Sequence, residues 1–159
     1  GGEEAQALAA AGIPFEVVPG ITAAQGAGAC AGIPLTHRDH AATLVFATGH
    51  LRGDNEVALD WELLARPRQT VVIYMGIGTL PTICAELARH GLPADTPAAL
   101  VEQASLPTQR CITGTLQTLP ALAQEHRVRP PALIVIGGVV ALQPQLLHGM
   151  RGLAQPLAL

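Results

Sequence analysis

The amino-acid sequence predicts an α/β fold, on three observations. Short apolar, β-branched runs alternate along the chain with segments that carry helix signals, and such alternation is the mark of α/β proteins. Two of the runs, TLVFAT at 43–48 and TVVIYM at 70–75, are almost uniformly apolar, as interior strands are. Gly and Pro punctuate the helical segments at their ends rather than in their middles. Short loops around 105–116 allow some antiparallel pairing, so alternation by itself leaves mixed and fully parallel sheets open.

In chain order, residues 3–11 read as a helix ended by Gly12, with Pro14 beyond it. Phe15 to Val18 read as a strand running into a Pro19-Gly20 turn. Thr22 stands where an N-cap is wanted, its hydroxyl able to accept from the first amides of a helix at 22–31. That helix is nearly all Ala and Gly, so a neighbouring element has to approach it closely. Residues 43–48 and 70–75 are strands, separated by a polar stretch, Arg52 to Arg68, with a short helix around Trp61 to Leu64. A helix at 80–90 has Pro81 in its first turn, Gly91 at its end and Pro93 after it. Strands follow at 98–103 and 110–114, then a helix from Thr118 to Glu125. Arg127 to Pro131 is a loop before the most apolar strand, Ala132 to Ile136, and a weak helix after Leu142 frays.

Composition restricts the function. At 159 residues the chain suits one domain and is long enough to bury about two-thirds of its unfolded surface. The net charge of −3 speaks against general nucleic-acid binding, which needs a basic surface. No run reaches the roughly 18 apolar residues of a membrane span. All nine cationic residues are Arg, so Schiff-base chemistry on a lysine is excluded within this chain. The cysteines, Cys30, Cys84 and Cys111, lie far apart without metal-binding spacing. Cys30 and Cys84 read as small buried hydrophobes, and a reducing cytoplasm is the expected compartment.

Two motifs are set aside. The glycines of Gly26-Ala27-Gly28-Ala29-Cys30-Ala31-Gly32 are spaced one residue too long for a dinucleotide fingerprint and fall inside a helix, not in the strand-to-helix turn. His37, Arg38, Asp39 and His40 are adjacent in a turn, point in different directions and have no third ligand at metal spacing. From the residues alone they make a solvated polar loop, and no metal site is expected.

Seven blocks, in order and over nearly the whole chain, resemble the tetrapyrrole methylases, and most closely their uroporphyrinogen-III C-methyltransferases. They are VVPGITAA (17–24), AGIPLTHRD (31–39), TGH (48–50), VVIYMG (71–76), VEQAS (101–105), CITGTL (111–116) and PALIVIGGVV (131–140). Any one of them is weak; their succession is specific. Thr36-His37-Arg38 favours the uroporphyrinogen enzymes over later corrin methylases or diphthine synthase relatives, and a non-catalytic binding fragment is the reading of another class.

The resemblance implies a mixed, mostly parallel sheet with flanking helices, the second domain of a two-domain fold. Residues 1–159 are then a single domain with its leading helix, and the family's glycine-rich Gly-Asp-Pro loop and acid–base residues belong to a first domain upstream of Gly1. No catalytic residue is therefore expected in this stretch, and by itself it is expected to be inactive. The implied methyl donor is S-adenosyl-L-methionine, bound by Thr22, Ala23, Met75 and Ala104. The implied substrate is uroporphyrinogen III, contacted by Glu3 and anchored through a carboxylate by Arg38, whose guanidinium suits bidentate pairing. The implied reaction is C-methylation at C2 and C7 to give precorrin-2, by a homodimer. His50 and Trp61 match positions read as structural.

Overall fold

The computed structural model describes residues 1–49 and 59–150, so His50 of the TGH block, the start of the polar stretch and the C-terminal tail lie outside the described residues. Helices α1 (Gly2–Ala10), α2 (Ala23–Ala31), α3 (Trp61–Leu64), α4 (Leu80–Arg89), α5 (Leu119–Glu125) and α6 (Gln143–Gly149) alternate with strands β1 (Thr43–Thr48), β2 (Gln69–Tyr74), β3 (Pro97–Glu102), β4 (Arg110–Thr115) and β5 (Ala132–Ile136). Single 3₁₀ turns at Ile77–Thr79 and Gly138–Leu142 lead into α4 and α6. Helix starts follow their chemistry: Pro81 and Pro120 stand in first turns, where no amide bond is lost. Asp60 caps α3 by accepting from the Leu63 amide at 2.9 Å.

One five-stranded sheet organises the chain, in the order β1-β2-β5-β3-β4. It is mixed and flanked by helices, as expected, but parallel pairing does not dominate. Among the described residues only β1 and β2 pair in parallel; β2 with β5, β5 with β3 and β3 with β4 are antiparallel. The reason is one insertion. β1, β2 and β3 all run the same way, but β5 returns between β2 and β3 in the opposite sense and breaks what would be a parallel pair.

Both faces of the sheet are covered because its interior strands alternate apolar side chains between two cores. Val71, Ile73, Leu100 and Ile134 face α3, α4 and α5, which contribute Leu64, Ile83, Leu87 and Leu119. Val72, Ala99, Val101, Leu133 and Val135 face α2 and the second 3₁₀ turn, which contribute Ala24, Ala27, Ala31, Val139 and Val140. The close approach expected of α2 is made by the returning segment Ile33–Leu35. A Cβ added at Gly28 would lie 2.8 Å from the Ile33 carbonyl oxygen. Gly32 ends α2 at φ 68°, a conformation that costs glycine nothing.

Three expectations are corrected. Phe15 to Val18 pair with no strand; Val17 and Val18 are 76% and 79% exposed, and an extended segment without a partner has no ladder to join. β1 is an edge strand rather than an interior one, with Phe46 on its exposed side. Cys30 is exposed while Cys84 is buried, because the packed stripe of α2 is Ala24, Ala27, Gly28 and Ala31 and Cys30 falls outside it.

Candidate functional site

The carboxyl end of β2, the carboxyl end of β3 and the start of β5 meet at one end of the sheet, since β5 runs against the other two. Ligands of open α/β sheets bind outside strand carboxyl ends. A cleft of about 580 Å³ lies there, within the usual range for small-molecule sites. Ala23 at the start of α2 forms one side. Tyr74 ends β2 and Met75, Ile77 and Gly78 follow it, Val101, Gln103, Ala104 and Leu106 lie at the end of β3 and in its loop, and Pro130 to Leu133 lead into and begin β5. The walls are mostly apolar, with Tyr74 and Gln103 as polar lining residues, and among the described residues no charged side chain lines them.

Three of the sequence-predicted cofactor residues, Ala23, Met75 and Ala104, come from separate blocks and line this one cleft. Met75 is 65% exposed and holds φ at 52°. A non-glycine residue in that region costs of order 1–3 kcal/mol, and such strain clusters at functional sites.

The fourth predicted residue, Thr22, is attached to the cleft through Tyr74. Its hydroxyl pairs with the Tyr74 hydroxyl, which also accepts from the Ala24 amide at 2.9 Å. The expected cap is therefore supplied largely by Tyr74: the second amide of α2 is satisfied by a phenol on β2. The Gln25 side chain accepts from the Thr22 amide at 3.4 Å, which fixes the turn from the other side. Tyr74 was not singled out from sequence because a lone aromatic in a β-branched run reads as core; its place just before Met75, at a strand's carboxyl end, was the available signal.

The two substrate-side residues are not brought to the cleft. Glu3 lies on α1, a helix with no buried residue. Arg38 is exposed in a tight turn closed by reciprocal hydrogen bonds between His37 and Ala41, both 2.9 Å. The Arg68 guanidinium donates to the Arg38 carbonyl at 3.1 Å, and the Ala42 amide donates to the Arg68 carbonyl. This places the turn at the amino ends of β1 and β2, with the whole of β2, roughly 20 Å of strand, between it and Met75. Among the described residues Arg38 has no acidic partner.

Directly beneath the β3 side of the cleft, Glu102 is buried at 5% exposure. Burial pulls its carboxyl upward, but the Arg129 amide, which donates to it at 2.8 Å, and the Arg110 guanidinium outweigh that and hold it below its ordinary value. Burial pushes the Cys84 and Cys111 thiols up to about 11, so neither supplies a thiolate at neutral pH. No helix among the described residues is long and apolar enough to cross a membrane.

The profile of the Tetrapyrrole (Corrin/Porphyrin) Methylases matches residues 1–120. Siroheme synthase of Gluconacetobacter diazotrophicus is 60% identical over 140 residues, 88% of this chain and 30% of that protein. Siroheme synthase of Nitrosomonas europaea is 56% identical over 146 residues, 92% of this chain and again 30% of the relative. The chain thus spans about a third of the length of these relatives. A crystal structure of uroporphyrin-III C-methyl transferase from Thermus thermophilus complexed with S-adenyl homocysteine superposes with a TM-score of 0.74 at 36% identity, over 89% of this chain and 60% of that one. A cobalt precorrin-4 methyltransferase shares the fold, with a TM-score of 0.76 at 24% identity over 87% of this chain and 58% of the other. With the matched profile covering most of its length, this chain belongs to the tetrapyrrole (corrin/porphyrin) methylases, a family of methyltransferases.

Proposed function

We propose that this chain forms the S-adenosyl-L-methionine side of a methyltransferase that C-methylates uroporphyrinogen III at C2 and C7 to give precorrin-2. The observation that carries the reading is the convergence of Ala23, Met75 and Ala104 on one apolar cleft. The residues fit an adenosyl group. The small side chains of Ala23 and Ala104 leave room for close approach, the Met75 thioether offers a polarizable surface to an adenine, and Tyr74 and Gln103 are the polar residues of its lining. Among the described residues no charged side chain lines the cleft to meet the amino-acid end of the donor.

When bound, the donor supplies a methyl group on a sulfonium, which an electron-rich pyrrole carbon displaces in line. The cleft residues then have three tasks: to hold the donor, to fix its orientation and to exclude water, all of which act by positioning. Catalytic acid–base groups are assigned to a first domain outside residues 1–159. The siroheme synthase relatives favour sirohaem as the product downstream. For the substrate side we propose Glu3 and Arg38. Since neither borders the cleft, an Arg38 contact requires the macrocycle to reach the amino ends of β1 and β2, or a second copy of the chain to present its turn.

Calorimetric titration of the intact protein with S-adenosylhomocysteine tests the reading. Ala23→Val adds two methyl groups to the cleft side and should weaken binding at least tenfold while the fold survives, since the helix-propensity cost is at most about 0.7 kcal/mol. Normal binding by Ala23→Val, with an unchanged melting curve, places the donor elsewhere. Arg38→Ala should weaken the tetrapyrrole tenfold or more and leave cofactor affinity near normal; equal loss of both indicates misfolding.

A further inference from the structure

We infer that Glu102 is a positioning residue for the cleft: its buried carboxylate clasps the loop before β5 to the end of β3 and so fixes the two walls between which the donor lies. The inference rests on the cofactor reading above.

Glu102 ends β3 with its side chain 7% exposed. Its neighbours Val101 and Gln103 line the cleft, while its own carboxylate points through to the other face of the sheet, as alternation requires. There one oxygen accepts from the Arg129 amide at 2.8 Å. The other pairs with the Arg110 guanidinium, from the residue directly opposite on β4. Arg110 also donates to the His126 carbonyl at 3.0 Å, so both ends of the 126–129 loop are held to one ion pair. One rung beyond the β3–β5 ladder, the Gln103 main-chain amide donates to the Pro131 carbonyl at 2.9 Å.

Residues 129 to 131 are thereby fastened to residues 102 and 103 by a main-chain bond within the sheet and by the carboxylate on its far face. Pro130 and Pro131 form one wall of the cleft, and Gln103 and Ala104 form another. A buried carboxylate is costly unless paired, and burying an apolar residue at this point would close the sheet as well. The ion pair does what an apolar residue does not: it sets the loop at hydrogen-bond distance and direction.

The test uses the intact protein, with S-adenosylhomocysteine titrated into wild type, Glu102→Gln and Glu102→Leu at a temperature where ligand-free melting shows each folded. Glu102→Gln keeps an acceptor for the Arg129 amide but gives up the charge facing Arg110, and should bind three- to tenfold more weakly. Glu102→Leu loses both contacts and should bind tenfold or more weakly, with the KM for S-adenosylmethionine rising in step and turnover at saturating donor held. Should the leucine variant not fold, the glutamine variant decides. A residue that only supports the fold lowers the melting temperature and leaves the dissociation constant of the folded protein unchanged. Binding by the folded variants within twofold of wild type therefore overturns the inference, whereas absence of binding by wild type overturns the cofactor reading beneath it.

Discussion

Tyr74 joins the two elements that open the cleft, because its hydroxyl meets both the Thr22 hydroxyl and the Ala24 amide. Tyr74→Phe keeps the ring and its edge contact with Phe46 but uncaps α2. A lost cap costs about 0.5–2 kcal/mol, so a denaturant midpoint should fall by a corresponding amount and S-adenosylhomocysteine should bind less tightly. Thr22→Ala should do less on both counts, since Tyr74 still reaches Ala24; the reverse ranking would show that Thr22 itself makes the main contact. Glu102 carries a pH signature. Its folded value lies below the ordinary 4.5, so its stabilising share is complete above that value and is lost as pH falls through the lower folded one. Chemical denaturation of wild type and Glu102→Gln from pH 7 downward should show a stability gap that narrows on acidification below about 4.5. At this scale the sequence was informative where chemistry is local, in the small α2 and in Met75 at a strand end, whereas no hydrogen-bonded turn forms at Pro19-Gly20. Arg38 was not placed, because its position depends on which end of β1 the turn 37–41 adjoins, a tertiary fact.

Among the elements, α2 offers a paired test, because its two interior glycines differ only in what lies above them. An alanine at Gly26 meets nothing within 4 Å, whereas at Gly28 its Cβ is 2.8 Å from the Ile33 carbonyl oxygen, a backbone atom that cannot rotate away. Alanine gains about 1 kcal/mol in helix propensity at either site, while overpacking costs about 1–3 kcal/mol. Gly26→Ala should therefore raise the melting temperature and Gly28→Ala should lower it; equal shifts of either sign would mean that Ile33–Leu35 does not pack on this helix. Element positions were largely readable: β1 and β5 fall on the residues their patterns predict, and α3 and α4 within a residue. Two features were not. The apolar run 15–18 satisfies a strand pattern, but a pattern does not supply a partner. The sense of β5 follows from where it inserts, and an apolar run such as ALIVI reads the same in both directions.

The whole molecule is a sheet covered on both faces with an apolar cleft at one end and a cationic turn at the other. The chain segment before α2 leaves Ile13, Phe15, Val17, Val18 and Ile21 about half exposed or more, an apolar line longer than scattered surface residues account for. The 159-residue chain should accordingly self-associate with rising concentration, and replacing Val17 and Val18 by Ser should shift sedimentation toward monomer; concentration-independent monomer for the unsubstituted chain would count against it. How function is divided between the two ends of the sheet turns on where the donor binds. A crystal structure of the protein with S-adenosylhomocysteine tests this most directly. The adenosyl group is expected between Ala23, Met75 and Ala104, against Pro130 and Pro131; density for it beside His40, Arg66 and Arg68 at the opposite end of β2, with the cleft filled only by solvent, would contradict the assignment.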